Sequence, residues 1–242
     1  MRTHDTASFI TSLRRAELSR ALAIIERSYR SKPWSRGMDS FEVLVGTVLS
    51  QNTNDRNTML AFRRLKKKFK IRPEVLAKVK ERDIAACIRP AGLYNVKAPR
   101  IKSIARQLLE KYNGKLDDLL RMPEDEARKK LLELPGVGFK TADVLLAFVA
   151  GRGVLPVDTH IARIAKRIGV VGGKANYEEI RKTLENLVSS EKRGRTHLSL
   201  IKFGRAVCRA RKPLCLRCPI LRFCAYPAKT VKIEGLQSPS QE

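Results

Sequence analysis

Apolar residues recur along this chain at three- and four-residue intervals, and that spacing predicts helices almost throughout. Between Phe9 and Tyr29 they fall at Ile10, Leu13, Leu18, Ala21, Leu22, Ile24 and Ile25. Asn54 to Phe69 sets Met59, Leu60, Phe62, Leu65 and Phe69 on one stripe, with Arg63, Arg64, Lys66, Lys67 and Lys68 on the other face. Phe41 to Leu49 is largely apolar and alone could be a strand. Ser40-Phe41-Glu42 reads as a helix entry and no hairpin turn follows, so a helix is predicted there. Further helices are predicted at 73–79, 81–89, 97–112, 124–132, 139–150, 159–168, 177–189 and 195–206. Gly and Pro punctuate the gaps, as in Arg89-Pro90-Ala91-Gly92, Asn113-Gly114, Leu134-Pro135-Gly136 and Gly169 through Gly173. No segment alternates in the manner of a strand. The expected fold is all-α, with a polar, disordered tail at 229–242.

Composition narrows what such a fold could do. The chain has 242 residues, 43% of them hydrophobic, which suffices for a core in one or two domains. Apolar runs such as Val144 to Ala150 are too short to span a membrane. The start, Met1-Arg2-Thr3-His4-Asp5, lacks an apolar signal core, so an intracellular protein is expected, in the cytoplasm or nucleoid of a prokaryote or a eukaryotic nucleus. Lys and Arg number 50 against 24 Asp and Glu, a net charge of +26. Nucleic acid is the expected partner of such a charge, because Lys and Arg displace counterions from phosphates. A membrane surface is the weaker alternative.

Four of the five cysteines crowd into positions 208, 215, 218 and 224. Clustered cysteines in a long intracellular chain point to a metal or cluster site rather than to disulfides. Four thiolates suit tetrahedral zinc or a [4Fe–4S] cluster, and the spacing alone leaves both open. The fifth, Cys87, reads as a small core residue.

Leu134-Pro135-Gly136-Val137-Gly138-Phe139-Lys140-Thr141 lies between two predicted helices. Pro135 ends the first. Gly136 and Gly138 permit positive φ and leave no Cβ above the turn, so successive N–H groups can face a phosphate at the start of the next helix. A plain corner between helices is the alternative. Asp158 precedes Thr159-His160-Ile161 and reads locally as a helix N-cap. On local sequence Lys140 is an ordinary exposed lysine, Gln51 a polar residue at a helix C-terminus, and Leu93 a core contact under a loop.

Taken in order, Ser50-Gln51-Asn52-Thr53, Gly92-Leu93-Tyr94-Asn95, the segment Leu134 to Asp143, Pro156-Val157-Asp158-Thr159-His160 and the four cysteines resemble the helix-hairpin-helix DNA glycosylase superfamily. The nearest branch is similar to endonuclease III, a bifunctional glycosylase and abasic-site lyase, from about Phe41 to Cys224. The resemblance implies a six-helix barrel over 32–152 that ends in the hairpin, and a second lobe of 1–31 with 153–228. It places DNA between the lobes and implies a monomer acting on double-stranded DNA with damaged bases or abasic sites, oxidised pyrimidines above all.

By the same resemblance, Lys140 attacks C1′ of an extruded nucleotide. The helix dipole and surrounding cations are expected to lower its pKa and so favour the neutral amine. Asp158 stabilises the developing positive charge. Gln51 fills the gap and Leu93 wedges the neighbouring bases apart. Leu134, Gly136, Val137 and Gly138 hold phosphate. Cys208, Cys215, Cys218 and Cys224 hold a [4Fe–4S] cluster that fixes Arg209, Arg211 and Lys212 against the DNA backbone. Two rivals remain. A monofunctional mismatch glycosylase is disfavoured by lysine at 140, and the adenine-removing branch by Thr47, where that branch carries glutamate. The other rival is a non-enzymatic helix-hairpin-helix module that merely holds nucleic acid.

Overall fold

In the computed structural model, residues 3–226 are described, with side chains from Arg14 onward. Among them the chain is helical, without strands: α1 (Thr3–Ser28), α2 (Ser40–Ser50), α3 (Asp55–Lys68), α4 (Pro73–Leu76), α5 (Glu81–Ile88), α6 (Tyr94–Tyr112), α7 (Leu116–Arg121), α8 (Glu124–Leu132), α9 (Phe139–Phe148), α10 (Thr159–Ile168), α11 (Tyr177–Leu187) and α12 (Arg193–Ala206). Short 3₁₀ turns occur at Arg89–Ala91, Ser190–Lys192, Cys215–Arg217 and Leu221–Phe223. The all-α expectation holds. The tail expected at 229–242 lies outside the described residues.

The chain divides into two compact units, one of Lys32–Pro156 and one joining Met1–Ser31 to Val157–Glu242. The sequence reading drew the later boundary at 152. The first unit holds α2 to α9. Its core takes one apolar stripe from nearly every helix: Leu44, Val48 and Leu49 from α2, Phe62 and Leu65 from α3, Ile84 and Ile88 from α5, Ile101, Ile104 and Leu108 from α6, and Leu145 and Leu146 from α9. Cys87 is buried among them, as expected.

Local chemistry fixes several helix starts. Asp39 and Glu42 form a reciprocal capping box on α2, Glu42 N donating to Asp39 Oδ1 at 2.7 Å. Lys66 Nζ lies 2.6 Å from Glu42 Oε1 and ties α3 to that end. Asn54 caps α3, its Oδ1 accepting from Asn57 N at 2.9 Å.

The helix expected at 73–79 ends at Leu76, because the chain turns at once into Lys78 and Val79, whose N–H groups both bond Val75 O. The helix Leu116–Arg121 was not foreseen. Six residues closed off by Met122-Pro123 span less than two turns, too few to display a period.

The second unit packs α1, α10, α11 and α12 through Leu18, Leu22 and Ile25, Ile161, Ile164 and Ile168, Ile180 and Leu184, and Leu200 and Phe203. Tyr29 meets Phe203 edge-on, 5.3 Å between ring centroids. Arg14 Nη2 donates to Ile168 O and Ser19 Oγ to Leu187 O, closing the ends of α10 and α11 against α1.

Candidate functional site

The hairpin between α8 and α9 is anchored by its apolar residues. Leu134 and Val137 are buried, so only their backbone atoms remain for any ligand. Val137 N donates to Leu134 O at 3.0 Å and closes the turn. Gly136 adopts φ +72°, the left-handed region that favours glycine. Gly138 does not: it takes φ −96° as the N-cap of α9, with no side chain to cap the helix and open space where a Cβ would stand. The expectation of positive φ therefore holds at Gly136 alone. At Gly138 the missing side chain leaves the start of α9 uncovered.

The flanks are clamped. Arg128 of α8 pairs with the fully buried Asp143 of α9, Nη2 to Oδ2 2.9 Å, and its guanidinium lies 5.6 Å from the Phe139 ring centroid. Lys140 is half-buried in the first turn of α9.

Gln51 is the C-cap residue of α2, and it reaches the hairpin. Its Nε2 donates to Gly136 O at 3.2 Å and reaches toward Thr141 Oγ1 at 3.5 Å, while Oε1 accepts from Arg100 Nη1 at 2.8 Å. The Arg100 side chain also packs where a Cβ on Gly136 would stand. Gln51, Arg100 and the hairpin thus form one hydrogen-bonded group. Leu93 is 53% exposed with φ +48°, which corrects the local reading of a core contact. Thr47 is buried, its hydroxyl donating back to Val43 O at 2.8 Å, so it serves helix α2 internally.

Arg100 and Lys97 escaped the sequence reading. Both lie on α6, one turn apart. Lys97 Nζ donates to Leu49 O and Ala91 O. A signal existed: Lys97 stands four residues before Ile101 on the stripe that continues through Ile104 and Leu108, a position for a buried side chain.

The other unit carries Asp158 and the cysteines. Asp158 is the N-cap of α10, Oδ1 accepting from Ile161 N at 2.8 Å, as its local sequence indicated. One turn on, Arg163 donates to Cys208 O and Gly204 O and meets His160 Nδ1 at 3.0 Å. A further turn brings Arg167, which donates to Arg209 O at 2.6 Å, to Ala210 O at 2.9 Å and to Cys208 Sγ at 3.5 Å. Helix α10 therefore leads from Asp158 to the first cysteine loop.

All four clustered thiols are free of disulfides and border one cavity, together with Ile168, Phe203, Val207, Pro213 and Ile220. Among the described residues no three His, Cys, Asp or Glu side chains stand together as a ready-made ion site. Burial in this apolar wall pushes the Cys218 thiol up to about 11, and the neighbouring cysteines act in the same direction. Arg209, Arg211 and Lys212 are exposed on the loop between Cys208 and Cys215. Among the described residues no helix is long and apolar enough to cross a membrane.

Residues 45–190 match the model of the HhH-GPD superfamily base excision DNA repair proteins. The chain is 39% identical to endonuclease III of Thermotoga maritima over 188 residues, 78% of this chain and 84% of that one. Its fold is similar to that of a trapped endonuclease III–DNA covalent intermediate in an estranged-adenine complex, with a TM-score of 0.78 and 32% identity over 87% of this chain and 95% of the other. A thermostable thymine-DNA glycosylase is also similar, with a TM-score of 0.73 and 27% identity over 89% and 97% of the two chains. The chain belongs to the HhH-GPD superfamily of base excision DNA repair proteins and, within it, to the endonuclease III family.

Proposed function

We propose that this chain is a bifunctional DNA glycosylase and abasic-site lyase that removes oxidised pyrimidines from double-stranded DNA. The observation that carries the reading is Lys140 in the first turn of the helix entered from the hairpin, within a chain of the endonuclease III family. A neutral lysine amine there attacks C1′ of an extruded nucleotide. The glycosidic bond breaks, the base departs with the bonding electrons and a proton, and the opened sugar remains on Lys140 as a Schiff base. Loss of a C2′ proton then expels the 3′ phosphate and cuts the strand.

Asp158 stands at the N-terminus of α10, and its carboxylate opposes the positive charge that builds on the sugar. The Gly136 and Gly138 backbone holds phosphate at the start of α9, with Leu134 and Val137 anchoring the turn from below. Gln51 fills the space left by the extruded nucleotide, and the exposed Leu93 wedges between neighbouring bases.

The four cysteines fit a [4Fe–4S] cluster. They supply the full thiolate set, share one apolar-walled cavity, and have the Arg167 guanidinium beside Cys208 Sγ to offset negative charge. Bound there, the cluster would act as a cross-link holding the Arg209–Lys212 loop for phosphate contact.

Incubation with a duplex carrying one abasic site tests the activity. Strand cleavage without added alkali is expected. On a duplex carrying a mismatched thymine instead, base release that needs alkali to reveal a nick would favour a monofunctional mismatch enzyme, a reading suggested by the likeness to the thymine-DNA glycosylase. Binding without either product would leave a nucleic-acid-holding module. A panel of duplexes with single defined lesions then identifies the base, with oxidised pyrimidines expected to be released fastest.

A further inference from the structure

The Lys97 side chain is 1% exposed in α6, and its ammonium donates to Leu49 O and Ala91 O, each at 2.9 Å. Both of these partners are uncharged carbonyls. Burial lowers its pKa, and the nearby Arg100 guanidinium adds to that effect. A methionine of similar length would fill the same space without a buried charge. What the ammonium adds is direction: it bonds the last turn of α2 and the 3₁₀ turn Arg89–Ala91 at once.

The side chains assigned above to duplex opening follow directly after those two segments. Leu49 stands two residues before Gln51, and Ala91 two residues before Leu93. The second segment is strained at Leu93, which follows Gly92 and takes φ +48°, a left-handed backbone disfavoured by its Cβ. Leu93 O in turn accepts from the backbone N–H groups of Val96 and Lys97. Residue 97 therefore holds this segment by both backbone and side chain, and reaches the end of α2, which Gln51 caps, with the same ammonium.

We propose that Lys97 is a positioning residue for base extrusion: it fixes the spacing between Gln51 and Leu93 so that both enter the same gap in the duplex. The inference rests on the roles given to those two side chains under the proposed function. Loosening the spacing slows extrusion of a nucleotide held within a duplex and leaves chemistry on one in a free single strand intact.

The test compares Lys97→Met with wild type on one abasic site in two settings, a single-stranded oligonucleotide and a duplex with 2-aminopurine beside the site. Circular dichroism and thermal melting report folding. The expected result is a single-strand cleavage rate within about twofold of wild type, with the duplex rate and the fluorescence rise each reduced about tenfold or more. In a Leu93→Ala background, Lys97→Met should cost less than about twofold further, because the wedge it positions is gone. Equal losses on both substrates, an undiminished duplex rate, or the full loss in the Leu93→Ala background would each overturn the proposal. Should Lys97→Met fail to fold, Lys97→Gln, whose amide stands one atom short of the ammonium position and loses the charge, replaces it in the same assays. If neither folds, Lys97 maintains the fold rather than the gap, and the proposal falls. A wild-type protein that cleaves neither substrate rejects the functional reading itself, and this inference with it.

Discussion

A methyl group added at Gly136 would meet the Arg100 side chain, whereas one added at Gly138 would meet nothing within contact distance. With φ at +72°, alanine at 136 is also strained in its backbone by about 1–2 kcal/mol. Gly136→Ala should therefore lower the melting temperature by several degrees. At Gly138 a poorer N-cap and a less flexible unfolded chain oppose each other at about 0.5–1 kcal/mol each. Gly138→Ala should melt close to wild type yet bind abasic duplex more weakly, because its Cβ intrudes where phosphate approaches. Melting curves and fluorescence anisotropy separate the two effects, and equal binding by Gly138→Ala would remove phosphate from that turn. Asp158 allows a similar separation. Asparagine caps helices as well as aspartate, so Asp158→Asn should keep stability and DNA affinity. It loses the charge, and single-turnover base release should fall roughly 10²–10³-fold.

At the scale of elements, the cysteine segment is held by α10 rather than by regular structure of its own. Arg163 and Arg167 donate to the carbonyls of Cys208, Arg209 and Ala210, and 3₁₀ turns at Cys215–Arg217 and Leu221–Phe223 set the later thiols. Anaerobically purified protein should be brown and contain iron and sulfide. Stoichiometric zinc without iron would defeat the cluster assignment. Cys218→Ser should lose the visible absorbance and weaken DNA binding.

The candidate ligands were legible because cysteine is rare in this chain and its spacing stands out. The hairpin was legible because Pro and Gly leave a local signature. Lys97 and Arg100 were not. Among 50 basic residues a lysine reads by default as solvated, and the one sign against it at 97, its place four residues before Ile101 on the α6 stripe, is outweighed by that default. The exposure of Leu93 was equally illegible, since a leucine after a glycine gives no local sign that a left-handed backbone turns it outward.

For the whole molecule, a charge of +26 opposes compaction, and duplex DNA relieves it by releasing counterions as phosphates are neutralised. If about five phosphates are contacted, log affinity for undamaged duplex should fall with a slope of roughly −4 to −5 against log salt. A flat dependence would reject a phosphate-contacting surface. The all-helical plan follows from apolar periodicity, which acts along the whole chain. The chemistry depends on which two or three of many polar residues are placed at helix starts, and periodicity is silent about that. The central claim is the Lys140 Schiff base, and borohydride trapping tests it most directly. With a duplex bearing a released or abasic site, reduction should leave wild-type protein covalently attached to the damaged strand, and Lys140→Ala should bind the same duplex but yield no adduct. Undiminished trapping by Lys140→Ala would make another amine the nucleophile and contradict the account.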